Sequence, residues 1–483
     1  MNVSMNDNQK NCEKVNANAL ENQKEYVDRV KLFVAQRASH KGEPLKVCVV
    51  TFGCQQNEAD SERILGFAEA LGYEKTSDIA NADLIIYNTC AVREHAELKA
   101  LSKAGQLKHL KQNNPNLLIG LWGCMVNQES RVEDIRKKYP YVDFVAGTNM
   151  LHRLAEILCS VMENDKRCFY INNSDYSVVE GVPVDRTSKI KAWISIMYGC
   201  DNFCSYCIVP YVRGRERSRK PGDIINEAKE LINDGCKEIT LLGQNVNSYG
   251  KGLDDSEKCT FAELLCKIAE LDGDFTVRFM TSHPKDVSDE LISVIRDNPK
   301  IERHFHLPLQ SGNDRILKAM NRKYTSQSYL ETVKKLKTQI PGICISTDII
   351  VGFPNEADSE FDDTLEIVKK VGYDAVFSFI YSPRPGTPAQ KLEDITPYAQ
   401  KTDRLSKLLA LQRENVLLIN KGFVGKTLRV LCETDEDRDG YFTGRSSEFK
   451  LVKFKSDDKS VYGKFVDVDI TAFSESSLLG QAK

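Results

Sequence analysis

Three cysteines, Cys200, Cys204 and Cys207, stand within the short stretch YGCDNFCSYCIV. Thiolates at this spacing ligate metal, yet tetrahedral zinc and cubane iron-sulfur clusters usually take four protein ligands. The missing ligand leaves one metal position for something that is not protein. Zinc is the plainer reading, but no histidine lies among the neighbouring residues to complete a structural site. A cubane cluster with one bare iron fits the motif better. A second set, Cys54, Cys90 and Cys124, is spread along the chain, and each member ends an apolar segment: KVCVVTFGC, ADLIIYNTC and NLLIGLWGC. These segments read as buried parallel strands. The carboxyl ends of parallel strands share one edge of a sheet, where ligands bind, so the three thiols are expected to converge. The alternative is three core thiols, because cysteine is among the most often buried residue types; the common strand-end offset favours ligands. Cys12, Cys48, Cys159, Cys168, Cys236, Cys259, Cys266, Cys344 and Cys432 lack both patterns and read as buried or incidental thiols.

The elements that must position these cysteines are legible in outline. With 483 residues, the chain has room for roughly three domains of ~150 residues each. Residues 1–44 are polar, with one helix-like piece, ENQKEYVDRVKLFVAQRA, and read as a loosely attached extension. Residues 45–160 alternate strand and helix, which predicts a small parallel α/β domain, and residues 161–188 read as a linker. Residues 189–415 carry six further strand-helix units, beginning with KAWISIMYGC. They predict a (β/α)6 partial TIM barrel with a lateral opening, whose active-site rim is the carboxyl end of its strands. The motif at Cys200 follows the first of those strands and so stands on the rim. Residues 420–483 change to short alternating segments such as TLRVLCE, FKLVKFK and GKFVDVDITAF, the pattern of a small all-β barrel.

Composition narrows the function. Hydrophobic residues make up 41% and charged residues 28%, ordinary values for a globular chain. The net charge of −3 supplies no global basic field, so any nucleic-acid partner must be met by local patches. No apolar run reaches the ~18 residues of a membrane span, and the start MNVSMNDNQKNCEK lacks the apolar core of an export signal. A cytoplasmic location with no membrane partner is therefore expected. Fifteen cysteines in such a chain argue for metal binding or buried thiols rather than a disulfide framework.

The cysteine motif after the first strand of a (β/α)6 barrel resembles the radical S-adenosylmethionine (SAM) superfamily. There the amino and carboxylate groups of S-adenosylmethionine complete the fourth iron of a 4Fe-4S cluster, whose electron cleaves the sulfonium to give a 5′-deoxyadenosyl radical. The resemblance thus implies that the cosubstrate is the missing ligand, with the protein left to orient it. Polar residues at later strand ends are the candidate cosubstrate contacts: Gln244 in LLGQN, Gln310 and Ser311 in LPLQSGN, and Asp348 with the Gly352 turn in STDIIVGFP. Tyr206, inside the motif, is a candidate packing or stacking group.

Two cysteine sets in this order, with an α/β domain before the radical barrel and a β-barrel after it, are similar to the methylthiotransferase family over roughly residues 45–483. GCDNFCSYCIVPYVRGRERSR, TSHPKDVSDELI, FHLPLQSGNDRILKAMNRKYT and FIYSPRPGTPA lie closest to the branch that acts on isopentenylated adenosine in tRNA. The resemblance implies a second, auxiliary 4Fe-4S cluster on Cys54, Cys90 and Cys124. It implies two molecules of S-adenosylmethionine, one as methyl donor and one as radical source, and transfer of a methylthio group to C2 of the adenosine next to the anticodon. An electron donor such as flavodoxin or ferredoxin and a monomeric enzyme are expected with it. Relatives acting on threonylcarbamoyladenosine in tRNA or on a ribosomal-protein aspartate are the alternatives. Outside enzymes, an iron-sulfur electron carrier or a zinc-stabilised RNA-binding module remains open.

An anticodon loop suits this chemistry because its unpaired bases can be splayed into a pocket. VRGRERSRKPG then offers Arg213, Arg215, Arg217, Arg219 and Lys220 for RNA phosphates or the cosubstrate carboxylate. SPRPGTPA offers Arg384. By resemblance the C-terminal barrel is a TRAM RNA-binding domain, with Arg445, Lys450, Lys453 and Lys455 as candidate contacts and Phe449 or Phe454 for base stacking. Alternation along a strand would point Lys453 and Lys455 away from Phe454.

Overall fold

The computed structural model describes residues 23–92, 94–164, 166–171, 178 and 180–483, which divide into two compact units. The first unit holds the chain up to residue 187 together with segments 198–201 and 208–217; the second holds the rest. Among the described residues no helix is long and apolar enough to cross a membrane.

The first unit runs α1 (Lys24–Lys41), β1 (Lys46–Phe52), α2 (Gln55–Ala70), β2 (Glu74–Lys75), β3 (Leu84–Thr89), α3 (Glu94–Asn113), β4 (Leu118–Gly123), α4 (Glu129–Lys138), β5 (Phe144–Ala146), α5 (Leu154–Asn164) and β6 (Cys168–Tyr170). Its strands form one sheet in the order β2-β1-β3-β4-β5-β6, parallel throughout. Every residue of β3 and β4 is buried, as suits central strands covered on both faces. The three expected strands are therefore neighbours at the heart of the sheet.

Two expectations are corrected here. The extension is not loosely attached from residue 23 onward, because Val30 and Val34 of α1 are buried in the same core as Leu45, Tyr73 and Leu154. Residues 1–22, with Cys12, lie outside the described residues. The α/β domain also runs past residue 160, since α5 continues to Asn164 and β6 lies inside the stretch read as a linker. A three-residue strand is too short for hydrophobic periodicity to register.

The second unit contains β7 (Lys191–Ser195), α6 (Pro221–Asn233), β8 (Glu238–Leu242), α7 (Phe261–Ala269), β9 (Thr276–Phe279), α8 (Asp289–Asp297), β10 (His304–His306), α9 (Asp314–Ala319), α10 (Ser326–Gln339), β11 (Cys344–Val351), α11 (Asp358–Val371) and β12 (Ala375–Ile380). Two parallel sheets, β9-β8-β7 and β10-β11-β12, are joined by a bridge between Val277 and Ile301. They trace an arc of six strands in chain order, and among the described residues no ladder closes β12 onto β7. This is the expected partial barrel. Helix α12 (Tyr398–Lys421) crosses the boundary expected at residue 415 and leads to β13 (Thr427–Cys432), β14 (Phe442–Ser446), β15 (Leu451–Lys455), β16 (Phe465–Phe473) and β17 (Leu478–Ala482). These close into a small barrel in the order β13-β14-β15-β17-β16.

The small barrel packs under the amino ends of the six strands, the end opposite the rim. Cys344, first residue of β11, belongs to its apolar core with Val430 and Phe442. Lys191 at the start of β7 pairs with Glu433 at 2.7 Å, and Lys450 pairs with Asp374 at 2.7 Å just before β12. Buried Arg278 reaches Glu238 at 2.5 Å and Glu302 at 2.7 Å, and donates to the Ser446 carbonyl at 3.0 Å. Burial pushes the Glu302 carboxyl up to about 7 against the pull of Arg278. Removing one member of a buried ionic network leaves the others uncompensated. Arg278→Ala is accordingly expected to lower the unfolding free energy by about 3–5 kcal/mol, read by urea denaturation near neutral pH.

Candidate active site

The first cysteine set is assembled by strand register. Phe52 of β1 lies opposite Thr89 of β3, and Thr89 lies opposite Gly123 of β4, so the three strands end level. Gly123 has φ +102°, and a Cβ there would stand 2.4 Å from Asn88 Oδ1. Only glycine lets the chain turn so close to its neighbour. Asn57 Nδ2 donates to Asn88 Oδ1 and to the Thr89 carbonyl, both at 3.2 Å, bracing the strand ends against α2.

Cys54, Cys90 and Cys124 are free thiols brought together at this edge, Cys54 exposed and the other two buried. The hydrogen bond with Cys90, with Arg213 adding to it, holds the Cys54 thiol below its ordinary value. Cys90 is correspondingly pushed well up, and burial takes Cys124 up to about 11 against the pull of Arg213. Ligation would displace the retained protons, because the thiolate is the ligand. Among the described residues no three His, Cys, Asp or Glu side chains close around a single metal ion. The fit of a cluster rests on the all-thiol donor set, since soft thiolates select iron-sulfur clusters over hard cations.

Arg213 belongs to this set rather than to an RNA surface, which corrects the sequence reading. It is 5% exposed, its Nη2 lies 2.8 Å from Asp60 Oδ2, and its charge acts on both Cys124 and Cys54. The preceding Val212 carbonyl accepts from Asn127 Nδ2 at 2.6 Å and from Thr148 Oγ1 at 3.3 Å. Ile208 and Val212 pack with Ala91 and Cys124.

Cys200, Cys204 and Cys207 occupy an irregular loop after β7, ahead of the helical turn Val209–Val212. Gly199 has φ +77°, where a Cβ would stand 2.0 Å from the Arg215 carbonyl. The Cys207 amide donates to the Cys204 carbonyl at 3.0 Å, and the Ser205 hydroxyl donates to the Ala319 carbonyl at 2.8 Å. Arg322 was not singled out from sequence. Its Nη1 donates to Cys204 Sγ at 3.3 Å and its Nη2 to the Pro308 carbonyl at 3.1 Å. It sits in the quoted segment NRKYT, but nothing in one sequence separates it from a surface arginine. Tyr206 packs against the apolar group of Ile316, Met320 and Phe353.

The cosubstrate candidates divide. Gln244, after β8, has a buried Oε1 with no hydrogen-bond partner among the described residues. Gln310 has φ +69° and is tied by backbone bonds to Asp348 and Ile350. Asp348 Oδ2 lies 3.4 Å from His306 Nε2. Ser311 is fully buried and accepts from the Asn313 amide at 3.3 Å, a bond that shapes the turn. At Gly352 the close approach is to the protein itself. A Cβ there would meet Lys401 at 2.5 Å, and its N–H already donates to Glu356 Oε2 at 2.8 Å.

Sequence reasoning missed a polar group beside Gln244. Asn247 Oδ1 and Nδ2, Ser282 Oγ and His283 Nε2 are buried without hydrogen-bond partners among the described residues. The Val246 amide donates to the Thr281 carbonyl at 3.0 Å, which ties the two rim loops together. Burial, then Arg322, hold the His283 imidazole down at about 2, so it is neutral. Its Nδ1 accepts from the Lys285 amide at 3.3 Å. The proton therefore sits on Nε2, available as a donor.

Other RNA candidates change standing too. Arg219 is 3% exposed and bonds Glu227 and the Ser195 carbonyl, each at 2.8 Å. Lys450, 8% exposed, is taken up by Asp374 and by Asn420 at 3.1 Å. Phe454 is buried in the small barrel core, whereas Phe449 stacks on His304 at 4.9 Å. Arg219, Lys450 and Phe454 are structural. Arg215, exposed, pairs with Asp201 at 2.9 Å, and exposed Lys220 with Glu257 at 3.0 Å. Arg217 and Arg384 are half-buried, as is Arg445, which lies 4.5 Å from the Phe449 ring. Lys453 and Lys455 are exposed on the face away from Phe454, as alternation requires.

Comparison with known proteins agrees with this layout. Residues 194–368 match the radical SAM superfamily, residues 46–147 the uncharacterized protein family UPF0004, and residues 421–483 the TRAM domain. The tRNA-2-methylthio-N(6)-dimethylallyladenosine synthase of Clostridium perfringens is 49% identical over 435 residues, covering 90% of this chain and 97% of that protein. The synthase of the same name from Thermoanaerobacter pseudethanolicus is 48% identical over 443 residues, covering 92% and 93%. Among solved structures, the radical S-adenosylmethionine methyltransferase TsrM from Kitasatospora setae shares the fold with a TM-score of 0.53 at 13% identity, over 71% of this chain and 74% of that one. The chain belongs to the family of tRNA-2-methylthio-N(6)-dimethylallyladenosine synthases, enzymes of the radical SAM superfamily.

Proposed function

We propose that this enzyme transfers a methylthio group to C2 of N6-isopentenyladenosine next to the anticodon of tRNA, consuming S-adenosylmethionine both as methyl donor and as radical source. The observation that carries the reading is the level ending of β1, β3 and β4 ahead of Cys54, Cys90 and Cys124 in a chain that also bears the Cys200, Cys204 and Cys207 loop. One 4Fe-4S cluster would be held by the loop and an auxiliary one by the sheet edge. Bound there, they supply the electron that makes a hydrogen-abstracting radical from S-adenosylmethionine and an iron for sulfur chemistry.

The chain's own residues bind, orient and exclude water. Arg322 fixes the Cys204 sulfur through a charge-assisted hydrogen bond. Gln244, Asn247, Ser282 and His283 offer donors and acceptors that no described residue satisfies, the kind of groups a polar cosubstrate satisfies when water is excluded. Neutral His283 donates without adding charge. Arg215, Arg217, Lys220, Arg384, Arg445, Lys453 and Lys455 are the exposed or half-buried cations among the sequence candidates, and they would meet RNA phosphates. An external one-electron donor such as flavodoxin or ferredoxin, a monomeric state and a cytoplasmic location complete the reading.

The deciding experiment incubates anaerobically reconstituted enzyme with reductant, S-adenosylmethionine and an isopentenylated anticodon stem-loop, then weighs the nucleosides after digestion. A methylthio-isopentenyladenosine peak is expected. Formation of 5′-deoxyadenosine without that peak would keep the radical chemistry and transfer the assignment to threonylcarbamoyladenosine RNA or a ribosomal protein. Iron analysis tests the ligands separately. Alanine at any of Cys54, Cys90, Cys124, Cys200, Cys204 or Cys207 is expected to lose about half the iron, given cysteine ligation of each cluster, whereas alanine at Cys259 or Cys432 keeps it all.

A further inference from the structure

Arg213 turns inward on the first cysteine set, and its surroundings are built to keep it there. The guanidinium is buried and has one carboxylate partner, Asp60, at 2.8 Å. Its backbone is clamped through the Val212 carbonyl by Asn127 and Thr148. The apolar residues just before it, Ile208 and Val212, pack on Cys124 and Ala91. A cation in such a place is costly unless something negative answers it. Asp60 supplies a negative charge on one side, and thiolates at Cys54 and Cys124 would add theirs on the other. Arginine suits the position because it stays charged whatever its neighbours do.

We propose that Arg213 is a positioning residue of the auxiliary cluster site, the buried cation against which its thiolates are packed and which sets the cluster's reduction potential together with Asp60. The inference rests on the reading that Cys54, Cys90 and Cys124 hold a cluster. Reduction adds negative charge, and net charge and hydrogen bonds to the cysteine sulfurs are among the terms that fix such potentials. A fixed positive charge nearby favours the reduced form, so removing Arg213 makes reduction harder. Removing the Asp60 charge does the opposite.

The test is an EPR-monitored redox titration of the full chain carrying Cys200→Ala, Cys204→Ala and Cys207→Ala, so that the auxiliary cluster is observed alone and without tRNA. Arg213→Gln is expected to shift the midpoint to a more negative potential, Arg213→Lys to return it toward the parental value, and Asp60→Asn to move it to a more positive one. Midpoints unchanged in Arg213→Gln and Asp60→Asn, at full iron content, would overturn the proposal. So would a midpoint shift in Arg213→Gln, at full iron content, that Arg213→Lys fails to reverse, because that is the mark of packing rather than charge. Should Arg213→Gln hold no iron, the direction of the Asp60→Asn shift decides. Absence of iron from the parental alanine background would remove the cluster assignment and the proposal with it, while the nucleoside assay of the intact enzyme judges the substrate reading independently.

Discussion

Parallel pairing of β1, β3 and β4 ends the three strands at one level, and the thiols that follow have nowhere to go but one edge of the sheet. Most of the first unit serves that alignment. Fully buried central strands hold the register, because a one-residue slip in a strand turns every side chain to the wrong face. Asn57 and Asn88 exchange hydrogen bonds across the strand ends, and Gly123 takes a backbone shape that a side chain would forbid. The exposed member, Cys54, caps the amino end of α2, where helix dipole and N–H groups favour a thiolate.

The second recurring device is the buried arginine with an assigned partner. Arg278 faces Glu238 and Glu302, Arg219 faces Glu227, Arg404 faces Glu356 at 3.0 Å, and Arg213 faces Asp60. Arg322 differs, because it answers a cysteine sulfur and carbonyl oxygens. A guanidinium brings five donors in a rigid fork, which lets one side chain tie several segments together. In the second unit this makes the C-terminal barrel a floor for the radical barrel as well as a candidate RNA surface, since Arg278 and Lys450 both bridge the two.

Charge runs were the least reliable guide. VRGRERSRKPG looks uniform as a string of cations, yet Arg213 and Arg219 are buried while Arg215 and Lys220 are exposed. The irregular backbone through this segment gives its side chains no common face. Lys450 and Lys453 likewise belong to one short basic run, and only Lys453 reaches solvent.

The domain order, the six-strand radical barrel, the closing β-barrel and the two cysteine sets are legible in the order of the amino acids. Those features rest on local rules, namely hydrophobic period, strand-end position and ligand spacing, which a chain carries wherever its neighbours lie. Folding, by contrast, sets α1 into the first core, the β-barrel under the strand starts, and Arg213, Arg219, Lys450 and Phe454 inward. It also brought out Arg322 and the polar group around His283. Burial and partnership depend on residues distant in sequence, and the free energy of a charge is set by those neighbours rather than by the charge itself.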